Sequence, residues 1–197
     1  MDMESQTDRV SLLPPWGGFR VSRQMSPDGV VEQGELNVTQ GRLEWIGVRT
    51  SHRGVVEQPT AIEVVPGRGL AGDHYIPRRS GGREVTLIQH EHLEEIARKC
   101  GLPEVCPTQL RRNLVISGVS FPIATGSRIV ISGVELEVTG LCVPCSRMDE
   151  ALGPGGCRSM KGKGGITSRI LRGGVIRVGD LVEISRLPVP TGKTGHG

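Results

Sequence analysis

Two cysteines lie three residues apart in the segment Thr139-Gly140-Leu141-Cys142-Val143-Pro144-Cys145-Ser146-Arg147. Such a pair admits three chemistries. It could form half of a tetrahedral zinc site, which needs four ligands. It could cycle between dithiol and disulfide, with Arg147 as a nearby cation. Or one thiolate could be a soft ligand to a metal carried by a cofactor. Two small buried apolar side chains beside a turn would be the structural alternative. Pro144 stiffens the loop and serves a metal ligand as well as a redox couple.

The zinc reading needs partners that the chain supplies poorly. His90 and His92 stand two apart at the start of a helical pattern, where they would point roughly 200° away from each other. They are expected on the surface, and His74 lies upstream. Cys100, Cys106 and Cys157 form no second Cys-x-x-Cys. A thioredoxin-like role is also disfavoured, because that motif sits at a strand-to-helix turn within a βαβ unit, whereas hairpins surround this one.

Anion-binding side chains occur nearby. Arg111-Arg112-Asn113 leads into an apolar strand pattern, and on a strand Arg111 and Asn113 share one face while Arg112 takes the other. A guanidinium and an amide on one face suit a phosphate or a polar heterocycle. Gly69-Leu70-Ala71-Gly72-Asp73-His74, followed by Arg78, Arg79, Gly81, Gly82 and Arg83, is a basic, glycine-rich loop, and Lys161-Gly162-Lys163-Gly164-Gly165 is another. Neither has Walker A spacing. Their glycines could bring backbone amides up to an anion, or they could be solvated turns.

Short strands separated by glycine must position these groups. The pattern predicts strands over Arg42–Val48, Ala61–Val65, Glu84–Gln89, Asn113–Ser117, Arg128–Ile131, Val134–Val138, Ile166–Leu171, Val175–Val178 and Leu181–Ile184. Ser132-Gly133 and Gly173-Gly174 are hairpin signals, and Gly179-Asp180 is a further turn. So many short strands in about 145 residues predict a mainly β fold, a closed or nearly closed β-barrel. One helix is clear: His90–Cys100 sets Leu93, Ile96, Ala97 and Cys100 on one face, with Gly101 as a left-handed cap and Pro103 beyond it. Glu94–Arg98 and Glu95–Lys99 are expected ion pairs on its wet face. A short helix is expected after Arg147, through Leu152.

The ends read differently. Residues 1–40 carry three basic and six acidic residues, a balance of −3, against +6 for the remaining 157. They show no lasting periodicity and are expected to be a poorly ordered leader. Residues 41–186 are the expected domain, and 187–197, rich in Pro and Gly, the expected flexible tail. A net charge of +3 and five aromatic residues among 197 argue against nucleic-acid binding by stacking. No apolar run approaches the roughly 18 residues of a membrane span, and Met1–Val10 has no secretory signal. The expected setting is the cytoplasm, with reduced thiols.

Five segments taken in order resemble the MOSC domain family, which is named for the C-terminal domain of molybdenum cofactor sulfurase. They are Gly69–His74, Val85–Ile88, Arg111-Arg112-Asn113-Leu114, Thr139–Cys145 and Gly174–Asp180. The compact form is similar to the stand-alone bacterial members. The resemblance implies a barrel of the pyruvate-kinase-barrel type that holds molybdenum cofactor (molybdopterin), with Cys145 as catalytic residue and molybdenum ligand and Cys142 as an extra thiol. It implies cofactor contacts from Arg111 and Asn113; Arg83 and Lys163 are added to these on charge alone.

The implied activity is two-electron reduction of small N-hydroxylated compounds, with electrons from a separate reductase, since no haem, iron–sulfur or flavin motif stands out. The alternative is a carrier of sulfur or of the cofactor without turnover. A zinc-stabilised, non-catalytic interaction module is the third reading.

Overall fold

The computed structural model describes residues 38–52, 54–74, 82–122 and 124–185. The leader up to residue 37, the tail from 187, and Arg78, Arg79 and Gly81 lie outside the described residues. The first strand, β1, covers Val38–Ile46. It therefore starts within the stretch assigned to the leader and ends before Val48.

The described residues form ten strands and four helices, in the order β1, β2 (Ala61–Val65), β3 (Gly69–Leu70), β4 (Val85–Gln89), α1 (His90–Cys100), α2 (Pro107–Leu110), β5 (Leu114–Ser117), β6 (Arg128–Ile131), β7 (Val134–Leu141), α3 (Arg147–Leu152), α4 (Gly156–Ser159), β8 (Ile166–Arg172), β9 (Gly174–Arg177) and β10 (Leu181–Ser185). Seven strands close a barrel in the order β1-β10-β6-β7-β8-β4-β5, and β3-β2-β9 forms a separate small sheet. Among the described residues, no helix is long and apolar enough to cross a membrane.

The alternation of strand side chains makes two cores. Leu87, Leu114 and Ile116 point into the barrel with Leu43, Ile129, Leu136, Val138 and Ile184. Their neighbours Ile88 and Val115 point outward and pack under Leu93, Ile96, Ala97, Met148, Leu152 and Met160, as the period of two requires. The helices thus cover one outer wall of the barrel. β4 and β5 pair in parallel, which demands a crossover connection, and α1 and α2 supply it.

Local signals explain most boundaries. Gly101 caps α1 in the left-handed region (φ 67°), its N–H reaching Arg98 O while Leu102 N–H reaches Ala97 O, a Schellman pattern. Ser132 and Gly133 both take positive φ, 47° and 84°, between paired β6 and β7, as a two-residue hairpin turn requires.

Three expectations are corrected. Gly173-Gly174 joins no hairpin: β9 leaves the barrel and pairs with β2 instead. Glu95 forms its ion pair with Lys163 rather than with Lys99, because a cation from a neighbouring loop reaches it first. His92 is half-buried, with Nδ1 shut off from solvent and unpartnered, because α1 is covered there.

Candidate functional site

One end of the barrel opens into a cleft of about 570 Å³. Segments far apart in sequence build its wall: Arg49 and His52 after β1, Asp73 and His74 after β3, Gly82–Thr86 at the start of β4, Arg111–Asn113 before β5, and Cys142–Met148 after β7. Five arginines line it, Arg49, Arg83, Arg111, Arg112 and Arg147, with two acidic residues, Asp73 and Glu84.

The two cysteines have opposite settings. Cys142 is 1% exposed and its sulfur accepts a hydrogen bond from Arg83 Nη2 at 3.0 Å. Cys145 is an exposed thiol on the cleft wall, and all five cysteines are unpaired. The backbone explains the difference. Cys142 N–H still pairs with Gly165 O (2.9 Å) as an extension of the β7–β8 ladder, whereas Cys145 lies in the turn that starts α3, its carbonyl accepting from Met148 N–H.

Arg111 and Asn113 do not alternate on a strand, as the sequence pattern predicts. Arg111 ends α2 in the left-handed region, φ 57°, and β5 begins only at Leu114. All three residues of Arg111-Arg112-Asn113 therefore reach the cleft, but with different tasks. Arg112 is buried and spends its guanidinium on the carbonyls of Gly164 (2.7 Å), Leu110 (2.8 Å) and Cys142 (3.4 Å). Burial, and then the neighbouring Arg83 and Arg111, pull its pKa down, while the two cysteines oppose the shift.

Asn113 uses both ends of its amide within the fold. Oδ1 accepts from Thr86 N–H and Oγ1, and Nδ2 donates to Gly47 O and to Asp73 Oδ2 (2.9 Å). It is a positioning residue for Asp73 rather than a free amide.

Lys163 is not on the cleft. It pairs with Glu95 of α1, and the glycines beside it have a backbone role. Gly164 and Gly165 offer their carbonyls to Arg112 and Cys142, and a Cβ at Gly164 would strike the Cys142 carbonyl. The second glycine-rich loop thus clasps the Cys142 segment. Arg83, by contrast, lines the cleft.

Arg49, His52, Asp73, His74 and Arg147 complete the site. Sequence reasoning did not assign the first two, because they follow β1 with no motif of their own. Burial and then Arg111 lower the pKa of Arg49, with Asp73 opposing and Arg147 adding to the shift. The cleft therefore holds mutually repelling cations.

Among the described residues, no three His, Cys, Asp or Glu side chains converge to hold a metal ion. The described residues therefore offer no ligand set for the zinc-stabilised reading. A group bringing most of its own ligands is different. The cleft has the size of a small-ligand site, roughly 300–1,000 Å³, a surplus of positive charge, and one exposed thiol. Those features fit a phosphate-bearing dithiolene cofactor.

The model of the MOSC domain matches residues 68–183, more than half of the chain, and the chain belongs to that family. It is 30% identical over 115 residues to YuaD of Bacillus subtilis (strain 168), a candidate metal-sulfur cluster biosynthesis protein by its name. That match takes in 52% of this chain and spans about three fifths (60%) of the relative's length.

The crystal structure of Bacillus subtilis YuaD superposes with a TM-score of 0.68 at 22% identity, covering 77% of this chain and 99% of that one. YiiM from Geobacillus stearothermophilus gives 0.61 at 16%, covering 76% and 77% of the two chains. YiiM from Escherichia coli gives 0.57 at 18%, covering 74% and 71%. These likenesses establish the fold. MOSC domains are related to molybdenum cofactor sulfurase, which links the family to molybdenum.

Proposed function

We propose that this chain binds molybdenum cofactor in the arginine-lined cleft, with Cys145 as its thiolate ligand, and reduces small N-hydroxylated compounds by two electrons. One observation carries the reading: the exposed Cys145 thiol shares a single cleft with Arg49, Arg83, Arg111 and Arg147. A soft thiolate suits a second-row metal already held by sulfur. Arg49, Arg83, Arg111 and Arg147 would meet the cofactor's phosphate, since guanidinium–phosphate pairs are strong and directional. Arg112 holds the Cys142 segment in place from behind.

When bound, the cofactor supplies the two-electron couple that breaks the N–O bond. The chain's own residues present the ligand thiol and balance the negative charge. Electrons come from a separate reductase. The five free thiols suit a reducing, cytoplasmic setting.

The likeness to YuaD, whose name points to metal–sulfur work, favours a second reading in which Cys145 carries sulfur without turnover. Protein purified from a host that makes the cofactor separates the two. Molybdenum near one per chain, with reduction of an N-hydroxylated test compound by a supplied reductant, supports the first. Cofactor or persulfide without turnover supports the second. Protein with neither molybdenum nor sulfane sulfur would overturn both.

A further inference from the structure

The pocket contains an imidazole whose hydrogen bonds determine which nitrogen is available. His74 Nδ1 lies 3.2 Å from the carbonyl oxygen of Arg49 and 3.3 Å from Asp73 Oδ1. Both neighbours only accept, so Nδ1 must carry the hydrogen. Nε2 is then the atom that can take or give a proton, and the ring lines the cleft with 25% of its side chain exposed.

Asp73 is itself fixed. Oδ1 accepts from Arg49 N–H (3.1 Å), and Oδ2 from Asn113 Nδ2 (2.9 Å). Asn113 is in turn tied to Thr86 and Gly47. The side chains of Asp73, Asn113 and Thr86, with backbone groups of Gly47 and Arg49, thus orient one imidazole, the arrangement in which a carboxylate sets the tautomer of a catalytic histidine. Arg49, with Arg111 and Arg147 near it, supplies positive charge around the pair. The exposed His52 ring packs edge-on, its centroid 6.2 Å from that of His74.

We infer that His74 is the proton donor of this cleft, with Asp73 as its positioning residue. The inference rests on the reductase reading above. Reduction of an N-hydroxylated amine consumes two electrons and two protons and yields the amine and water. The two electrons would be supplied by a separate reductase, with the cofactor that Cys145 and the cleft arginines would hold providing the couple. His74, protonated at both nitrogens, gives its Nε2 proton to the departing hydroxyl oxygen as the N–O bond breaks, and the substrate nitrogen takes the second proton from solvent. Water leaves, the ring is left neutral with Nδ1–H toward Asp73, and solvent restores the lost proton.

His74→Asn keeps a donor near the Nδ1 position and removes Nε2, so it separates proton transfer from structure. The variant should hold as much molybdenum as wild type and melt at the same temperature. Its turnover of an N-hydroxylated amine should fall about a hundredfold or more, and free imidazole added to the assay should restore part of the loss. Nitrogen NMR on the metal-free protein, recorded at a pH where the ring is neutral, should show His74 as the Nδ1–H tautomer, moving toward Nε2–H in Asp73→Asn. Turnover of His74→Asn within about twofold of wild type, no rescue by imidazole, or an Nε2–H tautomer in wild type would overturn the inference. Wild-type protein that is fully loaded yet inactive would instead overturn the reductase reading, and the role of His74 with it.

Discussion

Arg83 Nη2 donates to Cys142 Sγ across 3.0 Å, joining two residues 59 positions apart. The bond, together with the burial of Cys142, divides the Cys-x-x-Cys pair into one sulfur held inside the fold and one offered to the cleft. Spacing alone could not make that division, since both cysteines share one loop.

The division predicts a labelling pattern. Iodoacetamide applied to the native protein should modify Cys145 and the exposed Cys106, and leave Cys142 untouched until the chain is unfolded. Mass spectrometry of digested protein reads this directly. Cys145→Ser should abolish reductase activity without lowering the melting temperature. Cys142→Ser should retain at least part of the activity and lose stability, on the order of 1 kcal/mol, because a smaller atom receives the Arg83 bond. A fully active Cys145→Ser with an inactive Cys142→Ser would mean that the ligand is Cys142.

Adjacent arginines should respond differently. Arg112 is buried and serves three carbonyls, so Arg112→Ala leaves acceptors unpaired and a void behind the Cys142 loop. The expected loss is about 3 kcal/mol or more, measured by urea unfolding. Arg111→Ala should fold nearly as well as wild type but hold less molybdenum, and Arg111→Gly should do the same while relaxing a left-handed backbone. Unchanged molybdenum content in Arg111→Ala would remove that residue from the anion-binding set.

Much of the barrel is written in local pattern. Ser132-Gly133 names its own turn, and His90–Cys100 with Gly101 names its own helix, because short-range sterics and one apolar face decide both. The site is less legible. Arg111 looks like the first residue of a strand, yet the short α2, begun by Pro107 and too brief for any periodicity, turns it left-handed. Lys163 looks like a phosphate ligand because charge and glycine are visible in sequence, while the approach of Glu95 is a tertiary fact. Asn113 stands out in sequence as a polar residue before a strand, but the four hydrogen bonds of its side chain depend on Thr86, Gly47 and Asp73, which only folding brings together.

The glycines of the second basic loop offer a test of that correction. Gly165 takes φ +85°, and a Cβ there would run into the Leu87 carbonyl of β4. Gly165→Ala should therefore destabilise by about 3 kcal/mol or more, since strained backbone and steric overlap act together. Lys163→Ala should leave molybdenum content unchanged. A Lys163→Ala protein that folds normally but fails to hold the cofactor would restore the loop to an anion-binding role.

Acid stability should depend on His92. Burial first, and then the Lys163 ammonium, hold its pKa below the ordinary value of 6.5. Above 6.5 the ring is neutral in both folded and unfolded chains, and its contribution to stability is fully present. As the pH falls from 6.5 through the folded pKa, the unfolded chain binds a proton that the folded protein refuses, and stability drops. Below the folded pKa the loss levels off. Glu95, held low by its hydrogen bond to Lys163, acts with the same sign in a more acid range. Urea unfolding between pH 7.5 and 5.5 should show wild type losing stability, and His92→Gln should lose distinctly less over the same interval. A variant that keeps the whole slope would place the acid sensitivity elsewhere.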